Sequence, residues 1–517
     1  MTRILPLILL ILCTSLQAYP ASRQQPDPRP LSPNDAVLAA AADAATIADP
    51  EIRYATRYLS LHNVPAAERA AYMQTIDFIL NSLSRRRAIS YVQTVARSND
   101  SVCRIFLDNY GINPTQFDRL AEQGSGPVRI STKKFQPEEY FATRKGETKK
   151  VTKQRQKKDG QGRPLYYNVG TAQETPALED YIEEQRTFAG SWFDPAAMLA
   201  LQTAVKSEYP IIRADWFLAN ASLAPAYYEL LGIKTHADFA DLVRYRERDY
   251  DQSSKGIVTD SQEVSLHNRS IIVTPTSLGR YWETSDYLSS QGDNNLIRDL
   301  LKRRRDAGEA FAEMPNGMQA FLLIDGADKV LDVADGNIVC DQTGTWKNKL
   351  VYGGLAQCSM CHLNGAKDIH EEVRLSTQPP FGLQIPVAER KKAQEVQDLF
   401  FSGKKSDLNR WLAATRNDYK EAIGEATRGL TPERNTAAFK KAFLDFWQKP
   451  LTLADAAAEV GCTPADFARV MGSLKAPAPE PGIATLLQGR SLRREIWTDG
   501  ALQQSSSIFY QLRRVKP

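Results

Sequence analysis

Apolar positions recur at helical spacing over much of the chain. From Ala66 to Ser84, the residues Tyr72, Met73, Ile76, Ile79, Leu80 and Leu83 fall on one face of a 3.6-residue period, with Pro65 where a helix starts. This pattern predicts mainly helix over 35–125, interrupted by the partly alternating run Val102–Leu107 as a short strand. A second helical block is predicted from Pro195 to Arg248. Its aromatic clusters, Arg213–Phe217 and Tyr227–Gly232, are expected in the core. The period changes after Met314–Gly317, a Pro-Asn-Gly turn signal. Gln319–Ile324 is an apolar strand candidate, Asp325–Asp328 a turn and Lys329–Asp332 its return. Beyond residue 386 the helical pattern resumes nearly to the end. The expected class is mainly α with a small β element.

Length and composition widen this picture. With 517 residues, 42% hydrophobic and 24% charged, the chain has an ordinary globular composition and room for two or three folding units. Met1–Arg3, the apolar stretch Ile4–Leu12 and the small residue Ala18 form an export signal, cleaved after 18. A lipoprotein reading through Cys13 is disfavoured by the bulky Leu10. After cleavage no apolar run is long enough to span a bilayer, so the expected place is the periplasm or cell envelope. The expected organisation is a signal peptide (1–18), a flexible or partly helical segment (19–50) and a helical subdomain (51–125). A basic insertion or hairpin (126–190) and a helical domain with an aromatic core (191–312) follow. The main chemistry and the C-terminal helices lie in 313–480, with a tail at 481–517.

Charge is concentrated in one place. Between Arg144 and Arg163, nine basic residues stand against Glu147 and Asp159, whereas the whole chain carries only +4. The plain reading is a solvated loop or hairpin, the functional one a docking surface for an acidic partner. Nucleic acid is not an expected partner of an exported chain. Thr452–Met471 has the outline of a helix-turn-helix, but Arg469 alone would serve recognition, so a packed helical hairpin is expected.

The strongest chemical signal is Cys358-Ser-Met-Cys361-His362. With six cysteines and five histidines in the chain, chance gives Cys-x-x-Cys-His in roughly one such sequence in a thousand. On one helical turn, thiols at i and i+3 can form thioethers with the two vinyl groups of a haem, and the adjacent histidine meets the iron. A structural zinc site would need a fourth ligand, a thioredoxin-like dithiol gives His362 no role, and a Cys358–Cys361 disulfide would close a strained loop. One covalent haem c is therefore expected, held by Cys358 and Cys361 with His362 as proximal iron ligand, inside a multi-helical scaffold. The distal ligand is open, with Met318, Met471 and His267 as candidates. His62 is expected to be an ordinary histidine, and His370 to stay on the proximal side. Cys103, Cys340 and Cys462 allow at most one disulfide, and buried thiols are an equal alternative.

On these residues the chain resembles an uncharacterised family of exported bacterial proteins carrying one cytochrome c-type motif in a much larger sequence. The matching stretches include Arg57–Leu61 with Leu80–Ser84, Arg213–Phe217 with Tyr227–Gly232, and Tyr281–Asp286. The best match runs from Met314–Asp325 through Ile338–Asp341 to the haem motif and Glu372–Arg374. The resemblance implies haem at Cys358, Cys361 and His362 but no established activity. Ala366 and Cys340 depart from the Met and Ser expected there, which removes a Met near the haem and marks Cys340 for a chain-specific disulfide. Three functions follow: a monohaem electron carrier without catalysis of its own, served by a redox partner protein; a peroxidase- or oxidase-like haem enzyme with an open distal site; or a haem-stabilised envelope binding protein. No dinucleotide loop, second haem motif or His-rich metal cluster accompanies the motif.

Overall fold

Strands, not only helices, carry the architecture. The computed structural model describes residues 33–124, 195–246, 254–258, 268–287, 305–334, 351–367, 385–401, 408–459, 463–473 and 485–494. It also describes paired strands at 140–144, 147–151, 165–167 and 174–176 and the single residues 369, 374, 379 and 497. Residues Leu31–Pro517 form one compact unit. The proposed signal segment lies outside the described residues.

A four-stranded sheet has the order β2 (Gln93–Thr94), β3 (Val102–Phe106), β1 (Thr56–Ser60), β8 (Ile211–Arg213). Here β1 runs antiparallel to β3 and parallel to β8. Two hairpins, β4 (Tyr140–Arg144) with β5 (Glu147–Val151) and β6 (Leu165–Tyr167) with β7 (Glu174–Pro176), occupy the 126–190 stretch. The larger sheet is a five-stranded antiparallel meander of β9 (Ser254–Val258), β10 (Asn268–Pro275), β11 (Arg280–Tyr287), β12 (Ala307–Glu313) and β13 (Gln319–Asp325).

This corrects the expected mainly-α class: the molecule is a mixed helix-and-sheet fold, and four of the five meander strands come from 254–313, a stretch expected to be helical. The physical reason is burial on both faces. Six of the seven residues of β12 are buried, so its sequence shows no apolar–polar alternation. The apolar run at 319–324 does form β13, whose main partner is β12, while Val330 returns only as a single bridge to Ile324.

Helices close the layers. Arg69–Ser82 buries Tyr72, Ile76, Phe78, Ile79 and Leu80. Pro432–Trp447 starts at Thr431, whose hydroxyl accepts from the Arg434 amide, with Pro432 in the first turn. Helices Pro33–Thr46 and Pro195–Val205 pack together over Tyr58, Val102 and Ile211. One continuous apolar core joins both sheets, from Leu59 and Ile76 through Tyr281 and Phe311 to Leu355 and Phe443. The 452–471 stretch forms two packed helices, Leu453–Glu459 and Pro464–Ser473. Glu459 there pairs with Arg213 and Arg494, a structural rather than a DNA-facing role.

Candidate haem-attachment site

The motif residues sit on the short helix Leu355–Cys361, and two glycines decide how it starts. A side chain on Gly353 would overlap the Tyr228 hydroxyl, and Gly354 has φ +104°, with a Cβ position 2.8 Å from the Ser222 carbonyl oxygen. Only glycine fits a backbone so placed. The loop is stitched down by Ala224 N–H to Gly353 O (2.8 Å), Gly353 N–H to Asp332 O (2.8 Å) and Ala356 N–H to Ser222 O (2.9 Å). The helix packs on Pro432–Trp447 and on β13.

Two tyrosines prepare the β13 side. Among the described residues β13 is the edge of its sheet, and the outward amides of Phe321 and Leu323 have no strand partner. The Tyr227 hydroxyl accepts from Phe321 N–H (3.4 Å), and that of Tyr228 accepts from Leu323 N–H (3.1 Å) while donating to Leu331 O (3.3 Å). The Tyr227–Gly232 cluster is thus in the core, as its pattern implies, and it also caps a sheet edge.

His362 ends the helix against the meander. Its ring meets Phe311 edge-on at 4.8 Å and lies 6.3 Å from Phe321, a pair directly opposite each other on β12 and β13. Its Nδ1 is 3.3 Å from the Gly365 carbonyl oxygen. A carbonyl only accepts, so Nδ1 carries the hydrogen and Nε2 keeps its lone pair. Burial pushes the imidazole below its ordinary 6.5, against the opposing charge of Glu309. The result is a neutral, oriented imidazole, the ligating form. Gly365, at φ +83°, lets this loop lie against Tyr419 and Gln319, and Arg416 holds the Ala366 carbonyl at 3.1 Å.

Cys358 and Cys361 carry thiols rather than a mutual disulfide. Burial, reinforced by Glu309 and Cys361, drives the Cys358 thiol well above its ordinary 9.0. Among the described residues no group of three His, Cys, Asp or Glu side chains converges as a metal site.

Orphaned polar atoms extend the fit. Gln319, buried on the face of β13 that also carries Phe321, has neither amide atom hydrogen-bonded, and the buried Trp282 indole N–H, opposite Phe311, is likewise unpartnered. Leaving such groups dry costs about 1–3 kcal/mol each. A group carrying polar edges and seated at this face would repay that cost, so the residues present fit a haem.

The other expected residues separate. Met318 is fully buried beside the Met314–Gly317 turn, in the core that also packs on Cys358 and Met360. His267, His370, Cys340, Cys462 and the side chain of Met471 lie outside the described residues. His62 belongs to the smaller sheet, its Nδ1 2.7 Å from the Ser60 hydroxyl, and burial lowers it to about 4. Cys103 is a fully buried thiol on β3. No helix among the described residues is long and apolar enough to cross a membrane. Sequence reasoning missed Gln319, Trp282, Phe311 and Gly365; Gly365, three residues after the motif, was the one local signal. Comparison of the chain with protein-family models, with curated proteins and with solved structures gives no match.

Proposed function

We propose that the chain is an exported monohaem c-type cytochrome of the periplasm or cell envelope that passes single electrons. The observation carrying this reading is His362: its Nδ1 faces the Gly365 carbonyl and its Nε2 retains the lone pair, one residue from a thiol pair at thioether spacing. Cys358 and Cys361 would hold the haem covalently and His362 would ligate the iron; the bound haem supplies a one-electron couple. The rest of the work falls to this chain. Gly365 orients the imidazole, Phe311 and Phe321 exclude water from one side of it, and the Gly353–Gly354 turn fixes the helix against β13. The surrounding fold is then the scaffold on which a redox partner docks.

The test is expression with haem-maturation machinery, followed by acid extraction and absorption spectra of the oxidised and reduced protein with and without carbon monoxide. Haem that resists extraction, is lost from Cys358→Ala/Cys361→Ala, and ignores carbon monoxide is the expected result. Absence of covalent haem would refute attachment. A high-spin iron that takes carbon monoxide would replace the carrier by a ligand-binding haem.

A further inference from the structure

A second region with chemistry lies on the opposite face of the meander. Trp282, Phe311 and Phe321 share the face of His362, so the alternation of a strand sends Tyr281, Glu283, Ser285 and Tyr287 to the other. There Glu283, Ser285 and Tyr287 line a cavity of about 830 Å3, while Tyr281 is fully buried beneath Tyr245; His236 and Tyr245 from the chain before the sheet, Arg305 and Phe400 complete the wall.

Three properties define what this cavity accepts. First, its cations are internally spent. Arg246 pairs with Asp241, and Arg305 with both Glu283 and Asp328. Two guanidinium groups face three carboxylates, so among the described residues an anion finds no surplus positive charge. Second, it holds a preset aromatic platform. The Tyr281 hydroxyl is fixed by His236 Nε2 and Glu283, each at 2.6 Å. Tyr245 lies parallel to that ring at 4.3 Å and 15°, and is itself only partly buried. Such a stacked tyrosine presents a flat surface without an ordering cost. Third, the wall is rich in hydrogen-bonding oxygen: the hydroxyls of Thr235, Ser270 and Ser285 and the exposed carboxylates of Asp241 and Asp328. A flat aromatic surface beside several fixed polar groups can hold a small molecule in one orientation.

We propose that this cavity binds a neutral ring compound bearing several hydroxyl groups, stacked on Tyr245 and donating to the wall oxygens. The inference does not depend on the haem. Two sources share that chemistry, a catechol-type aromatic and a sugar ring. Isothermal titration of the full-length haem-free Cys358→Ala/Cys361→Ala protein with catechol and hydroquinone forms one arm, and with methyl hexopyranosides the other. Saturable 1:1 binding in either arm supports the proposal and identifies the source. Tyr245→Ala should then weaken binding about tenfold, the value of one good stacking contact. Ser285→Ala, which removes a wall hydroxyl and its 3.4 Å contact with Arg305, should weaken it about threefold; thermal melts confirm that both variants are folded. No saturable heat at millimolar probe in either arm would overturn the proposal. So would undiminished binding to folded Tyr245→Ala, or benzoate competing as well as the neutral ring.

Discussion

The two faces of the meander treat polar groups in opposite ways. Towards His362, the Gln319 amide and the Trp282 indole N–H are buried and unpartnered. Towards the cavity, Glu283 is met by Arg305, His236 and Tyr281 at once, and the space itself is open. One face keeps two buried polar groups without partners beside paired ones such as Glu313 and Arg280; the other holds satisfied groups around a void. The difference separates two kinds of site. Unsatisfied buried atoms suit a group attached once and kept, because their cost stands in every molecule that lacks it. A prepaired wall suits a ligand that comes and goes, because nothing in it collapses when the ligand leaves.

The largest break in this contrast is expected from Arg305→Met. It strips the cavity-side Glu283 of its main cation and should cost about 3–5 kcal/mol in urea unfolding, the usual result of orphaning a buried charge. Loss under 1 kcal/mol would show that the cluster is solvated rather than preorganised.

Next is Gly354→Ala, which loads a glycine-only backbone and drives a Cβ towards Ser222 O. About 3 kcal/mol is expected by the same measurement. A wild-type midpoint would mean that the motif helix is not pinned where it stands.

Gln319→Leu should do the reverse on the motif face. In haem-free Cys358→Ala/Cys361→Ala protein it should gain about 1 kcal/mol by removing an orphaned amide. In haem-loaded protein it should shift the absorption spectrum or potential instead. Destabilisation in the haem-free background would show that the amide already has its partners.

The finest contrast is in proton linkage, with at most one proton per residue. Burial raises Glu313, on the motif face, from its ordinary 4.5 to about 7, against the attraction of Arg280. Its contribution is full below 4.5 and is lost as pH rises through 7. For Glu283 burial also works upward, but the His236 hydrogen bond and the Arg305 charge outweigh it and hold the carboxyl at about 2. Its contribution is full above 4.5 and is lost as pH falls towards 2. Glu313→Gln should flatten the pH dependence of stability between 4.5 and 7, and Glu283→Gln below 4.5. Equal slopes in wild type and variant would contradict the assignment.

The same two faces explain what could be read along the chain. The Cys-x-x-Cys-His motif was legible because its three residues are neighbours in sequence and their spacing is itself the signal. The cavity was not, since His236, Tyr245, Glu283, Arg305 and Phe400 meet only through the meander. The meander escaped notice because β12 is buried on both sides and β11, Arg280–Tyr287, mixes aromatic and polar residues without alternation, all of them partly or fully buried. Helices such as Arg69–Ser82 were legible because one face stays wet.

The Gly353–Gly354 anchor also has a consequence in time. The three backbone bonds that anchor the start of the motif helix reach back to residues made earlier, at Ser222, Ala224 and Asp332, so this part of its seat can exist before the helix arrives, while its packing partner Pro432–Trp447 is made later. Once docked, the Cys358 thiol is partly buried with its protonated form favoured. On the haem reading, attachment and docking are competing rates. A chain that folds faster than it is modified traps an unreacted thiol, and slow pairing between residues distant in sequence lengthens the interval in which that thiol can still be reached.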